Sequence, residues 1–240
     1  MGMSVLLKAF IFLPLLFLCK KDKRIYVLLF ILISSLNEIG LKVGKLYLNL
    51  SSHLHYNWSG KILSIIISIT FIIILKRFLV PISYSDPKIS VGHKIKAKRA
   101  MIFSYGILLL VIVIFYILNY KQQFDMEQLL FQLTMPGMDE ELCYRGIYLA
   151  LLNIAFIKRY QFLDAKFGVG LIIVSIQFGL GHALSVSSSM GISFDMFYFF
   201  WSGAVGFCIG LIAESTGSLI LPIVSHNGFN VINFLVRALR

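Results

Sequence analysis

Apolar residues in this chain come in long runs separated by short polar breaks. Most of the runs are long enough to cross a bilayer as a helix. Residues 3–19 form the first, interrupted by Lys8 and Pro14 and closed by Lys20, Lys21, Lys23 and Arg24. The second covers 25–43 and carries Asn37 and Glu38, polar enough to face a bundle interior rather than lipid. Residues 62–75 are an almost unbroken β-branched run, and 101–119 make a fourth. The stretch 121–133 is read as a short amphipathic helix at the interface, after which Pro136 and Gly137 punctuate the chain. Four more runs follow at 138–156, 167–184, 192–213 and 218–236, with the serine-rich 185–189 as a turn or loop. The pattern predicts an all-α, polytopic membrane bundle of about eight transmembrane helices. Residues 1–240 form one integral membrane domain, with N-terminal helices and basic loops over 1–137 and the polar-motif helices over 138–236.

Composition agrees with this. Hydrophobic residues make up 58% of the 240 and charged ones 14%, and the mean hydropathy is +0.86. That lies outside the range of soluble globular domains. The net charge of +11 does not point to nucleic acid, because the basic residues sit in clusters between apolar runs without interleaved aromatics. They read as topology signals, and Lys88, Lys94, Lys96, Lys98 and Arg99 form a solvated loop whose natural partner is anionic lipid. If all eight runs span, the loop charge places both termini, and the polar motifs, toward the outside. Cys19, Cys143 and Cys208 form no CxxC pair and read as small buried hydrophobes. Phe17 and Leu18 are too large for a lipoprotein cleavage box before Cys19, so the first run is expected to stay as a helix. Asn57-Trp58-Ser59 is formally a glycosylation sequon, a triplet frequent by chance.

One run begins with charge. Met138-Asp-Glu-Glu-Leu-Cys-Tyr-Arg145 sets three acids and an arginine at the head of an apolar helix, where an unpaired charge costs several kcal/mol. Glu141 and Arg145 are four apart and pair along one face, with the acid N-terminal. Glu140 is rotated about 100° from Glu141 and has Tyr144 above it, so it is expected to stay free. A free acid aimed into a bundle is a candidate general base.

Two further clusters lie downstream. Phe178 and His182 share a helix face at i and i+4, as do His226 and Asn230. Pro222, one turn before His226, is expected to free a carbonyl and loosen that helix. A lone intramembrane histidine is often only a helix-to-helix hydrogen bonder. Together, an acid, two imidazoles and a carboxamide meet the needs of a water-activating hydrolase: a base, a group to orient water and donors for an oxyanion. Helix geometry puts Glu140 at the start of one helix and His182 at the end of the next, at one membrane level. The chain has no His-Glu-x-x-His, Gly-x-Ser-Gly or Gly-x-Gly-Asp, so zinc, rhomboid-type serine and aspartyl intramembrane proteases find no support.

Glu140-Glu141-x-x-x-Arg145, Phe178-x-x-x-His182 and His226-x-x-x-Asn230, in this order and inside apolar helices, resemble the CPBP family. These are the CAAX-prenyl-protease and bacteriocin-processing proteins, also called the Abi family, which include the Rce1-type proteases. Thr216-Gly-Ser-Leu-x-x-Pro222 is similar to the family's approach to its third motif. The resemblance covers about 138–233. It implies an intramembrane glutamate-dependent endopeptidase with no metal or cofactor, acting on a peptide or membrane-associated protein in CAAX-type or bacteriocin or pheromone processing. It further implies Glu140 as catalytic base, His182 as holder of the water, and His226 and Asn230 as oxyanion donors, with Glu141, Arg145 and Phe178 supporting. Resemblance to the Rce1-type members implies a site on the cytosolic side, against the loop-charge topology, and here the motif is preferred. The many Lys, Ile and Phe and the compact loops suggest a bacterial or archaeal cell membrane. Two alternatives stay open: a non-enzymatic bacteriocin self-immunity or scaffold protein of the same fold, and a zinc site built from Glu140, His182 and His226.

Overall fold

The structure is a computed structural model and describes residues 2–48, 54–76, 97–118, 121–187 and 191–239. It is an all-α membrane helix bundle with two small hairpins. The first apolar run breaks at Pro14 into α1 (Gly2–Phe12) and α2 (Leu15–Leu18). Then follow α3 (Arg24–Tyr47), α4 (Trp58–Leu75) and α5 (Lys98–Ile117). Next come α6 (Met126–Glu141), a π-helical segment (Leu142–Tyr148) and α7 (Leu149–Ala155). The hairpin of β1 (Arg159–Phe162) and β2 (Ala165–Gly168) leads into α8 (Val169–Ala183). A second hairpin, β3 (Leu184–Val186) with β4 (Ile192–Phe194), leads into α9 (Met196–Thr216), and α10 (Ile220–Ala238) ends the bundle.

Among the described residues, four helical segments are long and apolar enough to cross a membrane: Lys21–Tyr47, Trp58–Leu75, Lys98–Ile117 and Met196–Thr216. Met3–Leu18 and Val169–Ala183 are apolar but shorter. The outward faces of the long segments carry exposed Ile66 and Ile73 on α4, Ile102 and Leu109 on α5 and Phe200 on α9. Such faces suit lipid, and no water-facing shell would tolerate them at this density. Inside, Phe30, Ile33, Ile147, Leu149, Leu151, Leu152, Leu171 and Leu211 form one core where α3, the π segment, α7, α8 and α9 meet. A second lies between α5, α9 and α10 around Leu108, Val111, Ile209 and Phe229.

Helix ends follow local chemistry. The Asp195 side chain accepts from the Tyr198 amide at 3.0 Å and starts α9. Gly217 ends it at φ 63°, a conformation that a side chain disfavours. The sequon asparagine, Asn57, is the N-cap of α4: it accepts from Gly60 N at 3.0 Å and donates to the Leu41 carbonyl at 3.1 Å.

Several expectations change. The stretch 121–133 is not a separate interfacial helix, because α6 starts only at Met126, capped by Asp125, and runs through Pro136 and Gly137 to Glu141. The break is bridged from α10: Asn227 Oδ1 accepts from Gly137 N at 2.7 Å and Asn227 Nδ2 donates to the Thr134 carbonyl at 3.3 Å. A Cβ on Gly137 would stand 2.6 Å from that Oδ1, so the crossing needs glycine. Pro222 lies in the first turn of α10, where an amide hydrogen has no helical partner anyway, so it loosens nothing. Residues 192–194 begin no helix; they pair with 184–186, where a loop was expected. Lys88, Lys94 and Lys96 lie outside the described residues, while Lys98 and Arg99 open α5. Asn37 is buried as expected, donating to Tyr148 Oη at 2.9 Å and to Cys143 Sγ at 3.0 Å. Cys19, Cys143 and Cys208 are buried free thiols.

Candidate active site

The acidic motif does not open a helix. Glu140 and Glu141 end α6, and the widened π turn of Leu142–Tyr148 follows at once, before α7 resumes the α-helical pitch. Such π segments inside α-helices are often found at functional sites, since they re-aim side chains on either side. Here the segment follows both glutamates, whose different surroundings come from the turn of about 100° between neighbouring helix positions.

Glu141 faces inward, as the i, i+4 spacing requires. Its Oε1 accepts from Arg145 Nη1 at 3.0 Å, and both side chains are 0% exposed. Arg145 Nη2 donates to the Gly206 carbonyl of α9 at 2.6 Å, and the guanidinium lies 5.2 Å from the Phe178 ring centroid. The same Glu141 Oε1 meets His226 Nδ1 at 2.7 Å. A carboxylate only accepts, so Nδ1 of His226 carries the proton and its Nε2 is left to face Glu140, at 3.9 Å from Oε2. Spacing along one helix finds the Glu141–Arg145 pair but not His226, which arrives from α10.

Glu140 is not free. Its Oε1 lies 2.7 Å from Lys61 Nζ, and the same ammonium lies 2.7 Å from Asp139 Oδ2. Lys61 sits in the first turn of α4, at the edge of the β-branched run, where a lysine reads as the end of a loop. A signal for it did exist: Asp139, Glu140 and Glu141 against Arg145 alone leave a buried excess of acid that calls for another cation. The other oxygen, Glu140 Oε2, is buried and has no hydrogen-bond partner among the described residues.

His182 ends α8 as expected. Its Nδ1 lies 2.9 Å from the Phe178 carbonyl, which only accepts, so Nδ1 donates and Nε2 holds the lone pair of the neutral ring. Phe178 is the wall between the clusters: its ring centroid lies 4.6 Å from that of His182, 5.9 Å from that of His226 and 5.1 Å from that of Tyr144. Asn230 stands one turn beyond His226 on the same face of α10.

Two cavities meet at the acid. One, of about 340 Å³, is lined by Glu140, His182, His226 and Asn230, with Phe178, Ser202 and Trp201 among its walls. The other, of about 190 Å³, is lined by Glu140 and His182 with Asn37, Glu38, Lys8 and Gln177. Lys61 lines both. The structure thus brings Glu140, His182, His226 and Asn230 to one space. Glu141 and Arg145 lie behind it, sealed in the core. Among the described residues, no three His, Cys, Asp or Glu side chains are grouped so as to hold a metal ion. Glu140 Oε1 is engaged by Lys61, and Nδ1 of His226 by Glu141.

Residues 122–232 match the family model described as type II CAAX prenyl endopeptidase Rce1-like. No curated protein and no solved structure matches the chain. The matched stretch holds Glu140, His182, His226 and Asn230, and it starts within four residues of the first residue of α6. With an apolar helix bundle around that stretch, the chain is an integral membrane protein whose residues 122–232 are similar to the Rce1-like type II CAAX prenyl endopeptidase family.

Proposed function

We propose that the protein is an intramembrane endopeptidase in which Glu140 activates water, without a metal, to cleave a peptide bond near the end of a peptide or membrane-associated protein. The observation that carries this reading is the single cavity shared by Glu140, His182, His226 and Asn230, with Oε2 of Glu140 unclaimed by any described protein donor.

In this mechanism Oε2 of Glu140 takes a proton from a water that Nε2 of His182 helps to hold. The hydroxide attacks the scissile carbonyl carbon, and negative charge collects on the carbonyl oxygen. Asn230 and a protonated Nε2 of His226 donate to that oxygen, the imidazolium being supported by Glu141 at its Nδ1. As the C–N bond breaks, Glu140 returns the proton to the leaving nitrogen. The pairing of Glu141 with both Arg145 and His226 gives it a supporting task distinct from that of Glu140.

The substrate reading is CAAX-type or bacteriocin- and pheromone-type processing. Purified protein in lipid nanodiscs, given an internally quenched farnesylated peptide ending in a CAAX sequence and the same peptide without lipid, tests it. Cleavage of either is expected. Glu140→Gln should lower kcat by about 10²–10⁴-fold, the range for loss of a general base. Undiminished turnover by Glu140→Gln would end the glutamate mechanism, and no turnover of either peptide by the wild type would end this substrate assignment.

A further inference from the structure

The ammonium of Lys61 comes from α4, outside the stretch that matches the family model, and it touches the one acid to which the mechanism gives a chemical step. We infer that Lys61 is a positioning residue for Glu140: by engaging Oε1 it leaves Oε2 as the oxygen presented to His226 and the substrate cavity, while Asp139 anchors the ammonium. This inference rests on the reading of Glu140 as the base.

Three observations support it. The first is the asymmetry of the carboxylate. Oε1 has Lys61 at 2.7 Å, whereas Oε2 is buried, lacks a described hydrogen-bond partner and faces His226 Nε2 at 3.9 Å. A carboxylate without a fixed partner rotates about its last torsion and exposes either oxygen. One clamped by a charged donor does not, because charge-assisted bonds are about twice as strong as neutral ones.

The second is that the clamp is itself held. Lysine is a flexible chain ending in a point charge, and one bond would let it follow the carboxylate as it turned. Asp139 gives Nζ a second partner at 2.7 Å, and Asp139 is only 2% exposed, so the ammonium lies between two fixed acids.

The third is the seat of Lys61. Trp58, one turn earlier, donates its indole N–H to Glu127 Oε1 at 2.9 Å. Its ring also stands edge-on to Phe131, with centroids 5.2 Å apart. Asn57 ties the same turn back to α3. The start of α4 therefore meets α6 at both ends: at Glu127 and Phe131 near its first turn, and at Asp139 and Glu140 in its last. Lys61 also lines both cavities, so its third N–H can reach the space where a substrate carbonyl or leaving group would lie.

Turnover of the farnesylated CAAX peptide by the full chain in nanodiscs tests this with Lys61→Met, Lys61→Arg, Glu140→Gln and the Lys61→Met/Glu140→Gln double variant. Lys61→Met is expected to lower kcat by at least about a hundredfold with KM within about threefold, the signature of a lost alignment rather than lost binding. Lys61→Arg, which keeps a charged donor, should recover turnover to within about tenfold of wild type. In the double variant the rate should equal that of Glu140→Gln alone, because residues acting through one group are not additive. Should Lys61→Met not fold, Lys61→Met/Asp139→Asn relieves the adjacent acids and should regain a sharp thermal transition without regaining kcat. Lys61→Met turning over within threefold of wild type would overturn the inference. So would an equal loss on top of Glu140→Gln, which would show Lys61 acting independently. Full activity in Glu140→Gln would instead bring down the base assignment beneath it.

Discussion

Two ionic clusters one helical residue apart answer the same problem, how to keep charge inside an apolar bundle, in opposite ways. The inner cluster of Glu141, Arg145 and His226 is sealed except where the His226 ring meets the larger cavity. Every residue in it has a partner in the protein, and both charged side chains of the Glu141–Arg145 pair are fully buried. The outer cluster of Lys61, Asp139 and Glu140 is paired on one side only and opens on two cavities. The inner one satisfies charge and orients His226. The outer one leaves Glu140, alone of its two acids, on the wall of the larger cavity with an oxygen free of hydrogen bonds from described residues. The difference shows that burial alone does not distinguish a structural acid from a reactive one. What separates them is access: each acid has one oxygen without a hydrogen-bond partner among the described residues, but Glu140 lines both cavities and Glu141 lines neither.

If the inner cluster is a closed structural unit, breaking it should cost fold before chemistry. Arg145→Met leaves Glu141 buried with only His226 as partner and is expected to destabilise the protein by about 3–5 kcal/mol, seen as an early thermal transition in detergent. An unchanged transition with lost turnover would place Arg145 in the outer cluster's role instead. Asn230→Ala, on the cavity wall, should do the reverse: a kcat lower by about 10²–10³-fold with the thermal transition little changed, as for removal of one oxyanion donor. Loss of stability there would blur the comparison.

The smallest effect lies outside both clusters, at the tip of the first hairpin. Asp164 accepts from the amides of Arg99 and Ala100 at 2.8 and 2.9 Å and caps α5. Partial desolvation pulls its pKa up, but those two amides prevail and hold it below the ordinary aspartate value. A carboxylate depressed in the folded state stabilises above the unfolded pKa, and that contribution fades as the pH falls through the folded one. Faster amide exchange at Arg99 and Ala100 is therefore expected below about pH 4, and at neutral pH in Asp164→Asn, with turnover unaffected. Loss of turnover in that variant would mean that the start of α5 is coupled to the site.

Much of the bundle could be read from the chain, and the reasons for the gaps are physical. Runs of apolar residues mark α3, α4 and α5 to within a few residues, because a bilayer leaves a helix little choice of composition. The i, i+4 rule finds Glu141 with Arg145, since both partners ride on one helix. It cannot find Lys61 with Glu140 or Glu141 with His226, which are 79 and 85 positions apart. Periodicity carries no information about which helices lie side by side. Pro136 and Gly137 misled for a related reason: a break that usually ends a helix is here bridged by Asn227 from another. The short strands at 184–186 and 192–194 were hidden in what looked like a loop and the start of a span.

The seat of Lys61 also bears on how far the family-matched part of the chain is portable. A fragment starting at residue 122, or a graft of that stretch onto foreign helices, would carry all three sequence motifs and still arrive with Asp139 and Glu140 side by side and no ammonium between them. Transplanting this site therefore means moving one turn of α4 along with it.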